Sequence, residues 1–232
     1  MTQPPPPERG PAEEPARDSG LRSGRADASG RTRDPRLAGF AEGGHGDTCP
    51  PSAALAAVVE DLSGPERRCD GASDEELIGL LGRWGALEAW AAAGKLAAVR
   101  ELIRRRVRPG LAGYPPPAHG DLPDQWHEGL EHEVSPALGL SIRGADKLTC
   151  FAWDLGARLP GVGAALAAGT ITEWKAKLIS DQLAVLDDEQ AAEAEKLILD
   201  QVAGRPPGVV GDIAAQAVCT VGPGGCGEAA RA

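Results

Sequence analysis

The sequence predicts an all-α protein, an antiparallel helical bundle or array preceded by a disordered tail rich in proline and glycine. Apolar residues recur three or four positions apart through most of residues 52–221, which is the spacing of one face of a helix. Ser, Thr or Asp stands just before several of these runs, where N-caps stand. The loops between the runs are short, and short loops favour antiparallel neighbours.

Residues 1–51 are predicted to be a disordered tail. They contain the proline run Pro4 to Pro7 and only three larger apolar residues after Met1, namely Leu21, Leu37 and Phe40. That apolar content is too small to offset the conformational entropy of the chain. The tail would serve as a flexible tether or a partner-binding segment, or it is a dispensable extension.

The helical domain is predicted to span residues 52–221. Ser52 begins a helix that ends at Gly64 and Pro65, and Ser73 with Glu76 forms a capping box. The long helix that follows continues to Pro109. Its buried face is predicted to consist of Leu77, Leu80, Trp84, Leu87, Ala91, Ala98 and Leu102. Gly82, Gly85 and Gly94 each cost ~1 kcal/mol relative to Ala, so they are expected to mark kinks or close contacts with a neighbouring helix.

The middle of the chain continues the pattern after a loop at 109–123. A helix starts near Asp124, includes Trp126 and is predicted to kink at Pro136. Ser141 then caps a helix that ends at Pro160. Its apolar face consists of Ala145, Leu148, Ala152, Leu155 and Leu159.

Three more helices complete the predicted domain. After a short Ala-rich turn at 163–168, Thr170 and Glu173 have the spacing of a capping box, and so do Asp187 and Gln190 further on. The helix that Asp187 caps ends at Gly204. A last helix runs from about Val210 to Val221, and residues 222–232 are predicted to be a disordered C-terminal end.

Composition narrows the classes of function. The chain has 232 residues, 42% of them hydrophobic, and a formal charge of −10; such an acid excess argues against broad neutralisation of nucleic-acid phosphates. Five cysteines include no Cys-x-x-Cys pair, and no apolar run is long enough for a membrane span. The expected location is therefore the cytoplasm, with reduced thiols and no membrane partner.

Residues with metal-binding or catalytic chemistry are too scattered to form a site. His127 and His132 are five residues apart, so from a regular helix they cannot chelate one ion, and they are expected to face solvent beside acidic neighbours. The acidic residues of 187–200 are interpreted as a solvated face, and the five tryptophans as wedges between helices. Cys219 and Cys226 lack further ligands. No catalytic residue, cofactor site or metal site is predicted.

The arginine cluster at the end of the long helix has two interpretations. It comprises Arg100, Arg104, Arg105, Arg106 and Arg108. These residues would form a nucleic-acid contact through phosphate groups. Alternatively, they simply complement the negative end of the helix dipole.

A family resemblance adds to these inferences. Leu140-Ser141, Arg158-Leu159-Pro160, the stretch from Leu166 to Thr172 and the run from Glu195 to Leu199 resemble the family called domain of unknown function 222. The resemblance covers roughly residues 74–221. It implies a helical, actinobacterial domain that often precedes an HNH endonuclease domain, which has no counterpart after Gly222 here. The chain is expected to be a truncated member of that family.

The leading functional hypothesis is a non-catalytic helical module that serves DNA association or assembly. The alternatives are a dimerising scaffold for protein–protein interaction without nucleic-acid binding, in which the partner is a second copy or another helical protein, or an inactive remnant of a nuclease. Nuclease activity is expected only of longer relatives. The substrate, any DNA sequence preference and the oligomeric state do not follow from the sequence.

Overall fold

The computed structural model describes residues 33–107 and 121–222, and it is helical as predicted. In these residues the one contact between extended segments is an isolated antiparallel bridge of Val107 with Trp126. A 3-10 helix spans Pro35–Phe40. The α-helices of the described residues are α1 (His45–Thr48), α2 (Ala53–Ser63), α3 (Asp74–Arg105), α4 (Leu130–Leu138), α5 (Ile142–Ala157), α6 (Pro160–Ala167), α7 (Glu173–Leu183), α8 (Asp188–Val202) and α9 (Pro207–Val221).

Most of the predicted helix caps are confirmed. The hydroxyls of Ser52 and Ser141 accept amide hydrogen bonds at the starts of α2 and α5, and the Ser73–Glu76 and Asp187–Gln190 capping boxes are both complete. The Thr170–Glu173 box is wrong. Thr172 caps α7 instead, because the hydroxyl of Thr170 donates to the carbonyl of Ala165 at 2.9 Å.

The predicted tail is too long, because part of it is folded. Asp34 caps the 3-10 helix, which buries Leu37 and Phe40 against α2 and α3. Two large apolar side chains are enough here because α2 and α3 already provide the apolar surface that they cover. Residues 33–51 therefore belong to the fold, whereas residues 1–32 and 223–232 lie outside the described part of the chain.

Helix α3 carries two hydrophobic clusters on different faces. Its first half contributes Leu80 and Leu87 to a small N-terminal cluster with Leu37, Phe40, Leu55, Val59 and Leu62. Its second half contributes Ala89, Leu96, Val99 and Ile103 to the main core, which α4 to α9 complete. The single face predicted for this helix is thus wrong: Leu77, Ala91 and Ala98 are exposed.

The glycines of α3 also differ from the prediction. The helix is continuous through Gly82, Gly85 and Gly94, and a methyl group added at any of them would meet nothing within 4 Å. The close contact is at Gly79, where an added methyl group would overlap the carbonyl oxygen of Phe40. Gly79 therefore allows the 3-10 helix to lie directly on α3.

Helix α4 begins later than predicted, at Leu130, and Pro136 lies inside it. Trp126 instead forms the bridge with Val107, and the amide of His127 donates to the carbonyl of Arg106 at 2.6 Å. These two backbone contacts hold the segment against the end of α3, which is why it is not helical. In the described residues, none of the helices has both the length and the apolar character to cross a membrane.

Candidate protein-interaction surface

The arginine cluster lies at the C-terminal end of α3, and three of its members, Arg104, Arg105 and Arg106, are paired with acidic side chains. Nε of Arg105 donates to Glu101 at 2.7 Å, and Nε of Arg104 lies 2.7 Å from Oδ2 of Asp121. Hydrogen bonding to Arg105 lowers the pKa of Glu101, and hydrogen bonding to Arg104 lowers that of Asp121. These carboxylates supply locally the negative charge that a phosphate would supply.

The other cluster arginines differ in their exposure. Two nitrogens of Arg106 donate hydrogen bonds to the carboxylate of Glu133, at 3.0 and 3.2 Å, and these bonds lower the pKa of Glu133. Arg100 is partly buried beside α5, and burial, with the nearby charge of Arg104, lowers its pKa. Arg108 lies outside the described residues. The structure therefore brings Arg104, Arg105 and Arg106 together at the surface and turns Arg100 towards the protein.

The histidine segment is only partly helical, because α4 begins at Leu130. His127 precedes α4, so it cannot pair with Glu131 across one helical turn. The carboxylate of Glu131 instead accepts from the amide of Gly129 at 3.3 Å and lies 3.7 Å from Nε2 of His132. Among the described residues, no three His, Cys, Asp or Glu side chains are close enough together to hold a metal ion.

The tryptophans only partly fill gaps between helices. Trp126 and Trp153 pack with ring centroids 6.4 Å apart, and the indole of Trp153 donates to the carbonyl of Pro123 at 2.8 Å. Trp84 packs against the N-terminal cluster. The prediction is wrong for Trp174, which is 65% exposed, and Trp90 is also exposed. Of the two C-terminal cysteines, Cys219 is a free, exposed thiol and Cys226 lies outside the described residues.

The buried polar groups of the main core connect helix ends. Asp154 on α5 accepts from Arg158 at 2.9 Å and from the hydroxyl of Ser180 at 2.6 Å. Arg158 also donates to the carbonyl of Leu186 at 2.7 Å and to Asp188 at 2.9 Å, so it joins the end of α5 to the loop between α7 and α8. This network forms part of the lining of a cleft of about 510 Å³ between α5 and α7. Each oxygen of Asp154 accepts one of these hydrogen bonds, so the carboxylate joins the end of α5 to α7.

Glu195 corrects the prediction of a fully solvated acidic face on α8. Its side chain is buried, and Oε1 accepts from the amide of Val162 at 2.7 Å. Helix α6 begins after Leu159 without a side-chain cap of its own, so Glu195 supplies that cap from a neighbouring helix. Burial raises the pKa of Glu195, although hydrogen bonds from Val162 and Gly161 act in the opposite direction.

One apolar surface of α3 is not covered by any described residue. It consists of Ile78, Leu81, Gly82 and Gly85, and we call it the open face. Ile78 is 69% exposed and Leu81 is 67% exposed, and both glycines border open space. Scattered exposed leucines are common on protein surfaces, whereas contiguous apolar patches mark interaction sites.

The open face continues the face of α3 that packs on the main core. Positions 78, 81 and 85 are followed at spacings of four and three by 89, 92, 96, 99 and 103, which is the seven-residue pattern of a helix that packs along its length on another. Every residue from Ala89 to Ile103 in this series is buried. Only its first two turns lack a covering helix.

The sequence contained the signal for this surface. The predicted face through Leu77, Leu80 and Trp84 matches the helical period in the first half of α3, and so does the series through Ile78, Leu81 and Gly85. Only the second series continues through Leu96, Val99 and Ile103. The two series give this helix two apolar faces, whereas the prediction assigned it one.

Comparison with known proteins finds one family whose model matches more than half of the chain. A family model described as a domain of unknown function (DUF222) matches residues 85–225. The match includes the main core, the Asp154 network and Glu195, and it begins after Ile78, Leu81 and Gly82. No curated protein and no solved structure matches the chain.

Proposed function

Because this chain belongs to the family described as a domain of unknown function (DUF222), whose description names no activity, we propose a function from its surface: it is a non-catalytic helical module for assembly. It binds a protein partner through the open face of α3. In longer proteins that combine such a domain with an HNH nuclease, as the sequence resemblance implies, the module would hold a partner in place rather than cut DNA.

The observation that supports this proposal is the uncovered end of a helix face that is otherwise buried. From Ala89 to Ile103 this face packs on the main core, and at Ile78 and Leu81 it meets solvent. Leaving two large apolar side chains in water forgoes the ~1.5–3 kcal/mol that burial of each would contribute. A partner that covers them would recover that free energy.

The experiment replaces the apolar groups of the open face with polar residues that favour helices. We expect Ile78→Gln with Leu81→Gln to leave the thermal unfolding midpoint nearly unchanged, since both side chains are exposed. The same variant should lose partners that are cross-linked to the wild-type protein in its native cells. The measurement is quantitative mass spectrometry of cross-linked complexes.

A matched control distinguishes this surface from apolar exposure in general. Val185→Gln with Leu197→Gln removes two exposed apolar residues that are not part of the open face, one in the loop before α8 and one within α8. This control should retain the partners that the Ile78 and Leu81 variant loses. Identical partner sets in the wild type and both variants would contradict the proposal.

DNA association is the second candidate, and the grouping of Arg104, Arg105 and Arg106 at one helix end favours it. Each of them is already paired with a carboxylate, but exposed ion pairs contribute little and exchange readily. If DNA binds here, affinity should fall with added salt and on replacement of these arginines with Gln. Fluorescence anisotropy with labelled duplex DNA measures both effects, and Arg67→Gln with Arg68→Gln is the control.

A further inference from the structure

We propose that the partner of the open face is an amphipathic helix that carries large apolar side chains at seven-residue spacing and lysine or arginine along its flanks. This inference rests on the proposed function and names the chemistry of the partner. It follows from the shape of the open face, from the charges beside it and from the poor fit of the other segments that could cover it.

The shape of the open face matches a helix better than a loop or a strand. Ile78 and Leu81 project as two knobs, and Gly82 and Gly85 leave two hollows beside them with open space above each. Knobs and holes at this spacing are the surface that one helix presents to another. The next turns of the same face, from Ala89 onwards, already pack against the helices of the main core.

The charges beside the open face are acidic. Asp74 and Glu75 are exposed in the first turn of α3, and Glu88 is exposed at the other end of the face. The basic residues nearby point elsewhere: Arg83 donates to the carbonyl of Cys49 at 3.1 Å, and Arg33 pairs with the buried Glu76. Complementary charge at the rim favours a basic partner and disfavours an acidic one.

A second copy of the chain fits less well. Antiparallel pairing about a two-fold axis between Leu81 and Gly82 would place each knob over a hollow, with Ile78 facing Gly85. The same register brings Asp74 and Glu75 of one copy level with Glu88 of the other. Like charges placed opposite each other disfavour this dimer, so a basic helix is the better occupant of the open face.

The remaining segments of this chain are also poor occupants. Residues 108–120 are attached at both ends to the C-terminal end of α3, about 38 Å along the helix from Leu81. Thirteen residues that leave and return to one place reach only about 23 Å. Among residues 2–32, Leu21 is the one large aliphatic side chain, and residues 223–232 contain none. None of the three can fill two turns of a helix face.

The test uses two synthetic helical peptides of three heptads each, with Leu at the two core positions. One carries Lys on both flanks and the other carries Glu. We expect the Lys peptide to bind the full chain at least ~10-fold more tightly than the Glu peptide. Anisotropy of a fluorophore on each peptide measures the affinity, which should fall as salt is added.

Variants of the protein locate the binding. A triple variant should bind the Lys peptide ~10-fold more weakly. It combines Asp74→Asn, Glu75→Gln and Glu88→Gln. The matched control removes three exposed carboxylates from α8, as Glu189→Gln, Glu193→Gln and Asp200→Asn. It makes the net charge less negative by the same amount and should change the affinity of the Lys peptide by less than ~2-fold.

Filling the hollows provides an independent check of the shape. Gly82→Leu and Gly85→Leu have room in the isolated protein and should keep the fold, yet they should abolish peptide binding. Gly94→Leu is the control, because Gly94 is equally open but lies on another side of α3. Binding that survives Gly82→Leu and Gly85→Leu would overturn the inferred packing.

The outcomes separate this inference from the proposed function. The Lys and Glu peptides could bind equally well, and both could lose binding to the Ile78→Gln, Leu81→Gln variant. That result would overturn the inference that the partner is basic, but it would support the open face as an interaction surface. Equal weakening by the α8 control would show that the peptide senses only net charge, which overturns the inference. A dimer in analytical ultracentrifugation that dissociates in Ile78→Gln and Leu81→Gln would identify a second copy as the occupant and overturn it as well.

Discussion

The two halves of α3 pack on different neighbours. The second half lies inside the family match and is covered by the helices of the main core. Most of the first half lies before residue 85, and its Leu80 and Leu87 pack against the 3-10 helix and α2. The helix face that includes the open face is buried in the second half, from Ala89 to Ile103. In the first half the same face is the open face itself.

The residues that carry the family resemblance have structural roles in the helical domain. Arg158 and Glu195 belong to the residues that carry the resemblance, and the structure uses them to join helix ends and to cap α6. Leu159, Leu166 and Ile171 are buried in the main core. The residues that carry the resemblance therefore maintain the architecture of the helical domain, whereas Ile78, Leu81 and Gly82 of the open face lie before the start of the family match.

The largest effect is expected from breaking the Asp154 network in the main core. Arg158→Ala removes the partner of a carboxylate whose side chain is only 11% exposed. It also leaves the carbonyl of Leu186 without its donor. Removal of one partner from a buried ion pair costs about 3–5 kcal/mol of the free energy of unfolding. Urea denaturation followed by circular dichroism measures the loss.

An exposed ion pair on α7 is the control for that prediction. Lys177 lies 3.3 Å from Asp181 at i,i+4 spacing, the two side chains are 40% and 63% exposed, and the ammonium of Lys177 also lies 5.4 Å from the ring centroid of Phe151. Lys177→Ala should change the free energy of unfolding by about 1 kcal/mol or less, because both contacts are open to solvent. Similar losses for Arg158→Ala and Lys177→Ala would show that the buried network does not stabilise the main core.

Smaller changes in stability are expected from two glycines in the first half of α3. Replacing one with Ala should destabilise the protein, and replacing the other should stabilise it. Gly79→Ala would force the 3-10 helix away from α3 because the methyl group overlaps the carbonyl of Phe40, which should cost about 1–3 kcal/mol. Gly82→Ala meets open space and should stabilise the protein by about 0.5–1 kcal/mol through helix propensity. Urea denaturation of the two variants under the same conditions measures both changes in the free energy of unfolding. Destabilisation by Gly82→Ala would mean that the space above Gly82 is already occupied.

Local signals determine which parts of this structure could be predicted from the sequence. Ser52, Ser73, Ser141 and Asp187 cap the helices they were predicted to cap, because a cap depends on residues within one turn of it. Leu37 and Phe40 were assigned to a disordered tail because the surface that buries them comes from α2 and α3, which are distant in the sequence.

The open face and the cap by Glu195 depend on the same kind of distant information. The apolar series through Ile78 and Leu81 is visible in the sequence, but its exposure follows from how far along α3 the main core extends, and that core begins at Ala89. The role of Glu195 follows from the position of α6 beside α8, and no spacing along the chain indicates that contact. The arginine cluster was found from its composition, while its acidic partners Asp121 and Glu133 come from other segments.

The smallest expected effect is a pH dependence that originates at Glu195. Burial raises the pKa of this carboxyl group above its unfolded value of 4.5. The folded state therefore holds the proton more tightly than the unfolded state does. This contribution to stability is fully present below pH 4.5 and is lost as the pH rises through the folded pKa. Glu195→Gln stays neutral and keeps an oxygen that accepts from the amide of Val162.

We therefore expect Glu195→Gln to gain stability relative to the wild type as the pH rises from about 4 to 7. Urea denaturation at several pH values measures the difference in the free energy of unfolding. The control is Glu193→Gln, which removes an exposed carboxylate from the same helix. If the two variants showed the same dependence on pH, the effect would arise from the overall charge of α8. If only Glu195→Gln shows it, the charge of this group opposes folding at neutral pH, and Glu195 serves as the cap of α6 despite that cost.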